Sequence, residues 1–326
     1  MSALGDLFVA LPHVDVISAH HPNDEVWLLT SPPYEELFYH HPRMNVTVLD
    51  RNGRFSRNST LGRVRWIRRQ RFSVIYDLQG NRTSRILVRF SKAKITVGTQ
   101  PRSIYRFHPE LPYTRDTRQN VFDRLNDTLA AAGLPRANPG CTLYPSAEDL
   151  DRVSRWKTQN RLEKKKYALM HAGSSVGWPS KRWPKERYLE LAKMIEDSGI
   201  RCVWLGSGED EAVNRYLARS VGIDATGQFS LLQLYLMGKG ASFAVTNDSG
   251  PMHIIAASGI PVYSFFGPTS RVRSHAAGQG GRALFADADC SPCFLRICPP
   301  EKQHVCLDTV APETVFSKIR AEMECT

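Results

Sequence analysis

The stretch FAVTNDSGPMHIIAASGIPVYSFF, residues 243–266, decides the fold. Its apolar run at residues 243–246 predicts a strand, residues 252–257 fit a helix, and residues 261–266 predict a second strand. A strand, a helix and another strand in close succession are typical of parallel sheets covered by helices. This part of the chain therefore predicts an α/β fold.

The same alternation continues on both sides of this stretch. Residues 167–171 and 202–205 predict strands, and the helix between them begins near Pro184 and ends at Gly199. In the first half, strands are predicted at residues 25–29, 46–49, 73–78 and 95–97, and helices at residues 61–70, 85–89 and 121–132.

The length of the chain indicates two domains. A chain of 326 residues exceeds the usual size of one hydrophobic core. Gly133, Pro135, Pro139 and Pro145 interrupt regular structure after the last helix of the first half, so the connection is expected near residues 146–166. We therefore expect domains at residues 1–150 and 151–326.

The charge of the chain points to an anionic partner. The net charge is +11, and fifteen Lys or Arg residues but only one acidic residue, Asp77, lie between Arg51 and Arg106. Such a field attracts nucleic acid, anionic lipid headgroups or a phosphorylated substrate; a merely solvated basic surface is the alternative. Zinc-finger spacing, an RNA-recognition motif and a helix-turn-helix are all missing from the sequence, so nucleic acid is not the expected partner.

The expected location is the cytoplasm. The sequence has no run of about 18 apolar residues that would span a membrane. Residues 1–10 include Asp6 and lack the basic start and apolar core of a secretory signal.

The strongest chemical motif lies at residues 246–253, TNDSGPMH. Asp248, Ser249 and Gly250 follow a strand and open a helix, where free N–H groups and the helix dipole favour bound phosphate. His253, one turn later, would reach the same phosphate or its sugar. The alternative is an Asp/Ser helix cap with a histidine that faces the core.

Two further motifs extend this interpretation. The loop HAGSS at residues 171–175 follows a strand, and Lys181 and Arg182 come shortly after it, which suits a diphosphate cradle; an ordinary loop is the alternative. The segment SALGD at residues 2–6 precedes an apolar stretch. Its carboxylate, Asp6, would deprotonate an acceptor hydroxyl or, alternatively, cap a helix.

Four of the seven cysteines crowd together near the C-terminus. Cys290, Cys293, Cys298 and Cys306 have the spacing C-x2-C-x4-C-x7-C, which allows a tetrahedral zinc or iron site. The alternative is four reduced thiols that pack a loop. A metal here is expected to be structural.

Taken together, the strings SALGDLFVALP, YDLQGNRTSRILVRF, HAGSSVGWPSKRWP and TNDSGPMHIIAASGIPVYSFFGPT resemble glycosyltransferase family nine. These enzymes are the ADP-heptose:lipopolysaccharide heptosyltransferases and their relatives, and the similarity runs through most of the chain. The resemblance implies a GT-B fold, with two Rossmann-like domains whose parallel sheets face a central cleft. It also implies an inverting, metal-independent transfer of heptose to the lipopolysaccharide inner core. The first domain would bind the acceptor and the second the ADP-sugar donor.

The resemblance assigns roles to individual residues. Asp6 matches the general base, and Glu209 is chosen for the donor ribose, with Asp210 and Glu211 as alternatives. The other donor-binding residues carried over are Ser174, Ser175, Lys181, Asp248, Ser249, Gly250 and His253. The acceptor, a phosphorylated lipid A or core at the inner-membrane surface, suits the arginines of the first half, represented by Arg63, Arg68, Arg82 and Arg85. Similar cysteines bind iron in the autotransporter-modifying members.

One departure from the family pattern and two rival functions stay open. Family members begin with an apolar strand before the S-x-L-G-D turn, whereas Met1 stands where that strand would end. Either the true start lies upstream or the first domain lacks a central strand. A UDP-N-acetylglucosamine 2-epimerase shares the D-S-G turn but continues differently after it. A non-catalytic sugar-nucleotide or lipopolysaccharide-binding protein is the rival of another class.

Overall fold

A computed structural model of the protein describes residues 4–50, 58–114, 117–175 and 177–325. The chain divides into two compact units, Met1–Tyr144 and Pro145–Thr326. The described α-helices are α1 (Leu4–His20), α2 (Thr60–Gln70), α3 (Arg82–Ser91), α4 (Val121–Ala131), α5 (Ala147–Gln159), α6 (Lys185–Asp197), α7 (Glu211–Ala218), α8 (Leu231–Gly240), α9 (Gly250–Ala257), α10 (Arg271–Ser274), α11 (Val305–Asp308) and α12 (Pro312–Glu324). The described strands are β1 (Val26–Thr30), β2 (Met44–Val48), β3 (Val74–Asp77), β4 (Ile95–Gly98), β5 (Tyr167–His171), β6 (Arg201–Trp204), β7 (Ile223–Asp224), β8 (Phe243–Asn247), β9 (Val262–Phe265) and β10 (Ala283–Leu284).

The second unit contains a six-stranded sheet in the order β10-β9-β8-β5-β6-β7. Every adjacent pair of strands is parallel. The predicted α/β class is therefore confirmed, and the strands predicted at residues 167–171, 202–205, 243–246 and 261–266 all form within one residue or so of their expected limits.

The centre of this sheet is covered on both faces. All five residues of β5 and all five of β8 are buried, as expected for parallel strands between two helix layers. Helix α6 turns Tyr188, Leu191, Ala192 and Ile195 towards the sheet, and each of these side chains is fully buried. The apolar runs of the sequence therefore form the core that holds the loops at the strand ends.

The first unit contains two smaller parallel sheets, β1 with β2 and β3 with β4. Helices α2 and α3 pack on them, with Ile67 and Leu87 in one apolar cluster. Helix α1 packs against α4. Residues of α1, β1 and β3 line a cavity of about 250 Å³ between the two sheets.

Helices α5 and α12 are among the elements that were not predicted from the sequence. The predicted connection at residues 146–166 contains a helix, α5, which Ser146 and Asp149 close with a reciprocal capping box. The last described helix, α12, packs against α6. Among the described helices, none combines the length and apolar character needed to cross a bilayer.

Candidate functional site

The second unit brings its two strongest motifs together at the ends of neighbouring strands. From β5 the chain proceeds to β6 and β7 on one side, and β8, β9 and β10 then build the other side. The order of the strands therefore reverses between β5 and β8. Such a switch point is where open α/β sheets bind ligands, outside the carboxyl ends of the strands. The loop after β5 and the turn after β8 both lie there.

Asn247, the last residue of β8, fixes the loop after β5. Its amide nitrogen donates to the carbonyl oxygens of Ala172 and Gly173, each at 2.9 Å. Its oxygen accepts from the Trp183 N–H at 3.0 Å and from the Tyr188 hydroxyl at 3.2 Å. One buried amide thus joins β8, the loop after β5 and the start of α6. Asn247 was not among the site residues predicted from the sequence, although an amide at the end of an apolar strand was a visible signal.

A charged cluster lies beside this amide. Lys181 Nζ is 2.8 Å from Asp248 Oδ2, and the Thr269 hydroxyl donates to the same oxygen at 2.6 Å. Lys181 comes from the loop between β5 and α6, Asp248 follows β8, and Thr269 follows β9. The structure therefore brings together two predicted site residues from distant parts of the sequence and adds a third, Thr269.

Ser249 precedes α9 without capping it. Its side chain makes no capping hydrogen bond. The Ser249 hydroxyl instead lies 3.2 Å from His171 Nδ1, and His171 Nε2 lies 3.9 Å from a carboxylate oxygen of Asp210. Burial lowers the pKa of His171, so this imidazole is neutral at pH 7. The N-terminus of α9, which opens at Gly250, is therefore not closed by the serine that precedes it.

His253 lies on the first turn of α9 and is largely removed from water. Burial lowers its pKa to about 4, with the neighbouring Asp248 acting in the opposite direction. At pH 7 it is therefore a neutral imidazole, which can donate or accept a hydrogen bond but adds no positive charge.

The two serines of the loop after β5 differ. The Ser174 hydroxyl is buried, donates to the Trp178 carbonyl at 2.9 Å and accepts from Arg182 Nε at 3.1 Å. Ser175 is exposed. Ser174 therefore shapes the loop, whereas Ser175 is the serine accessible to a ligand. Val176 of the same loop lies outside the described residues.

The three acidic residues after β6 also have distinct environments. Asp210 is buried and accepts from the Ser207 N–H at 2.9 Å. Glu211 forms an ion pair with Arg215. Glu209 is exposed on the helical turn Gly208–Asp210. Glu209 and Glu211 are both exposed, but only Glu211 is paired with Arg215.

In the first unit, Asp6 lies on the first turn of α1. Desolvation raises the pKa of its carboxyl group. Gln79, which follows β3, is 3.4 Å from an Asp6 oxygen. Asp77 is buried and accepts from the Gly80 N–H at 2.8 Å and the Tyr105 hydroxyl at 2.6 Å, so it shapes the turn after β3. Ser2 and Ala3 of the predicted motif lie outside the described residues.

The four predicted acceptor arginines do not form one group. Arg82 and Arg85 lie on the first turns of α3, directly after the β3 turn that carries Gln79. Arg68 is on the last turn of α2, which precedes β3 and therefore lies towards the opposite edge of the sheet. Arg63 is 8% exposed, bonds to Asn58 and packs over the Trp66 ring. The helical period places Arg63 on the inner face of α2 with Ile67, and its predicted role in acceptor binding stays a prediction.

The cysteine cluster does not fit a metal site. Cys306 is buried against Gly267, and burial together with the nearby thiols of Cys290, Cys298 and Cys293 raises its pKa to about 11. Cys298 points its thiol towards the Pro299 carbonyl, 3.7 Å away. Across the described ranges, no three His, Cys, Asp or Glu side chains are arranged to hold a metal ion. The predicted zinc or iron site is therefore not supported.

Comparison with known proteins identifies relatives of this chain. Residues 63–304 match the model of glycosyltransferase family 9 (heptosyltransferase). The lipooligosaccharide heptosyltransferase 2 of Campylobacter jejuni (serotype O:6) is 23% identical over 331 residues, a match that covers 97% of this chain and 95% of that protein. The lipopolysaccharide heptosyltransferase 1 of Pseudomonas aeruginosa is 28% identical over 159 residues, which is less than half of its own length, 45%.

A solved structure shows the same architecture. The structure described as Escherichia coli ADP-heptose lps heptosyltransferase II superposes with a TM-score of 0.73 at 20% identity, covering 100% of this chain and 98% of that one. This similarity confirms the predicted GT-B fold.

Proposed function

The chain belongs to glycosyltransferase family 9, the heptosyltransferase family, and from this we propose that it transfers heptose from ADP-heptose to the inner core of lipopolysaccharide. The observation that carries the proposal is the Lys181–Asp248 pair beside the N-terminus of α9, at the switch point of the second sheet. A cation and a helix N-terminus suit a diphosphate, and a carboxylate suits sugar hydroxyls.

The proposed donor site uses residues of the second unit. Lys181, Ser175 and the N–H groups at Gly250 would bind the diphosphate, and Asp248 would accept hydrogen bonds from the heptose. Ser249 and the neutral His253 would contribute uncharged hydrogen bonds, which orient a ligand without competing for its charge. Glu209 would accept from the ribose hydroxyls, since it is exposed, whereas Asp210 is buried and Glu211 is paired with Arg215.

The proposed reaction is an inverting displacement with Asp6 as general base. The acceptor hydroxyl gives its proton to Asp6 while its oxygen bonds to the anomeric carbon. The bond from that carbon to the diphosphate oxygen breaks on the opposite face, and ADP leaves with the electron pair. Lys181 and the α9 N-terminus would stabilise the developing charge. The raised pKa of Asp6 supports this role, because it makes the carboxylate a stronger base.

The acceptor is proposed to bind the first unit. Arg82, which is exposed, and Arg85 lie close in sequence and space to the turn that carries Gln79, the neighbour of Asp6. Phosphate or carboxylate groups of a lipid A–core acceptor would pair with these guanidinium groups. We place the reaction at the cytoplasmic face of the inner membrane, where such an acceptor would be presented.

The test is mass spectrometry of heptose-deficient lipopolysaccharide after incubation with ADP-heptose and the protein. Wild type should add one heptose residue. Asp6→Asn should lose activity by about 100-fold or more, because general-base catalysis contributes about that much, and should still bind ADP. Asp123→Asn is the matched control, since Asp123 occupies the first turn of another helix, α4.

A second variant pair tests the donor site. Lys181→Ala should weaken ADP binding, whereas Lys185→Ala should not, because Lys185 is exposed and pairs with Glu186. Binding of ADP-heptose without any transfer by wild type would favour a sugar-nucleotide-binding protein. Failure to bind ADP-heptose would refute the donor assignment.

A further inference from the structure

The cysteine-rich segment, residues 290–306, contacts the proposed donor site from two directions. On one side it holds Ser180, a buried residue of the short turn Pro179–Lys181. The Ser180 hydroxyl donates to the Leu295 carbonyl at 2.7 Å, and the Ser180 N–H donates to the Arg296 carbonyl at 3.2 Å. His304 Nε2 lies 2.6 Å from the Ser180 carbonyl. Three long-range bonds thus fix the residue that precedes Lys181.

On the other side the segment holds the loop after β9. The Ser291 hydroxyl donates to the Gly267 carbonyl at 2.6 Å, and the Phe294 N–H donates to the Pro268 carbonyl at 2.7 Å. This loop continues into Thr269, whose hydroxyl bonds to Asp248. The segment therefore joins the two loops that supply the Lys181–Asp248–Thr269 cluster.

Arg296 extends the positive charge of this region. Its guanidinium carbon is 5.8 Å from the centre of the Trp178 ring, and Lys181 Nζ is 5.1 Å from the same centre. Arg296 is exposed, and its guanidinium group lies over this ring. Lys181 is already paired with Asp248, so a diphosphate with two or more negative charges needs a further cation.

We propose that residues 290–306 form a wall of the donor site, in which Ser180 and Ser291 anchor the loops and Arg296 binds the diphosphate of the nucleotide. This inference rests on the proposed donor site. It assigns a role to the cysteine-rich segment that requires no metal ion.

The test is calorimetric binding of ADP and, separately, of adenosine. Arg296→Gln should weaken ADP binding about fivefold or more and leave adenosine binding within twofold, because only ADP carries the diphosphate. Arg296→Lys should recover part of the affinity. The loss should shrink in 0.5 M NaCl, because salt screens an exposed charge. Lys193→Gln is the control, since Lys193 is an exposed cation on α6.

A second variant tests the anchoring. Ser180→Ala should weaken ADP binding and lower kcat for heptose transfer, with thermal stability close to wild type, because it removes one bond to the segment and leaves the main-chain bonds. Equal ADP affinity in wild type, Arg296→Gln and Ser180→Ala would overturn the inference while leaving the donor site intact. Loss of both ADP and adenosine affinity in Arg296→Gln would also overturn it, by showing a fold defect. Failure of the wild type to bind ADP would overturn the proposed function and this inference together.

Discussion

Replacing Asn247 with aspartate tests whether one amide holds the donor-site loops together. The change keeps the shape of the side chain and keeps an oxygen for Trp183 and Tyr188. It removes the two N–H donors that bind the Ala172 and Gly173 carbonyl oxygens, each at 2.9 Å. The second oxygen of the new carboxylate, a hydrogen-bond acceptor, then faces these two carbonyl oxygens in a fully buried position.

The expected cost follows from those two lost bonds. A buried carbonyl left without its donor costs roughly 1–3 kcal/mol, so two of them cost about 4 kcal/mol. The cost should grow as pH rises, because burial favours the protonated form of the new carboxyl group and only that form can donate a hydrogen bond. Asn247→Asp should therefore be more destabilised at pH 8 than at pH 5.

The measurement is urea unfolding of the second unit, followed by hydrogen exchange of a peptide that covers β5. Thr246→Val is the matched control, since Thr246 is equally buried and its hydroxyl has one hydroxyl partner, Ser264, at 3.1 Å. This control should cost about 1 kcal/mol. If Asn247→Asp costs no more than Thr246→Val at pH 8, the amide does not hold the loop and the reasoning fails.

Three further outcomes are expected. Gly173→Ala should destabilise the second unit by roughly 2 kcal/mol, because a Cβ there would collide with the Asp210 carboxylate. Gly177→Ala is the control, since a Cβ at that position meets nothing within 4 Å. Differential scanning fluorimetry compares the two variants, and equal melting temperatures would contradict the packing. Burial raises the pKa of Asp15 to about 6 from 3.8, so the folded state holds this proton more tightly than the unfolded chain and stability falls as pH rises from about 4 to about 6. With the effect reduced for solvent screening, Asp15→Asn should raise the free energy of unfolding in urea by about 1 kcal/mol at pH 8 and leave it unchanged at pH 4. An increase at pH 4 would refute the raised pKa of Asp15. Arg63→Gln should lower stability without changing the acceptor KM, whereas Arg82→Gln should raise that KM in steady-state assays. The reverse pattern would indicate that Arg63, and not Arg82, binds the acceptor.

The central strands of the second unit were predictable because they are largely apolar. The runs at β5 and β8 are buried on both faces, so hydrophobicity alone located them. Helix α5 was missed because six of its 13 residues, AEDLDRVSRWKTQ, are charged and it buries one residue, Val153. Such a helix forms through its capping box and tertiary contacts, which hydrophobic periodicity does not reveal.

The residues of the donor site were predictable from the sequence only where they are neighbours in one motif. Asp248 and Ser249 are adjacent in sequence, and their position after a strand indicated phosphate chemistry. Asn247 was overlooked because its four partners lie 59 to 75 residues away. The burial of Arg63 was not predicted, because a count of charges does not say which face of α2 each charged residue occupies. The cysteine spacing suggested a metal, but spacing does not fix where the thiols point.

The contact between Asn247 and Tyr188 has a consequence for how this protein can diverge. Their side chains share a hydrogen bond and a burial site, so a replacement at one position changes which residues are acceptable at the other. In a library that randomises both codons, functional clones should therefore contain matched pairs rather than independent choices. Substitutions at the two positions are therefore coupled, and fewer sequences are compatible with the fold at the end of β8 than independent substitution would allow.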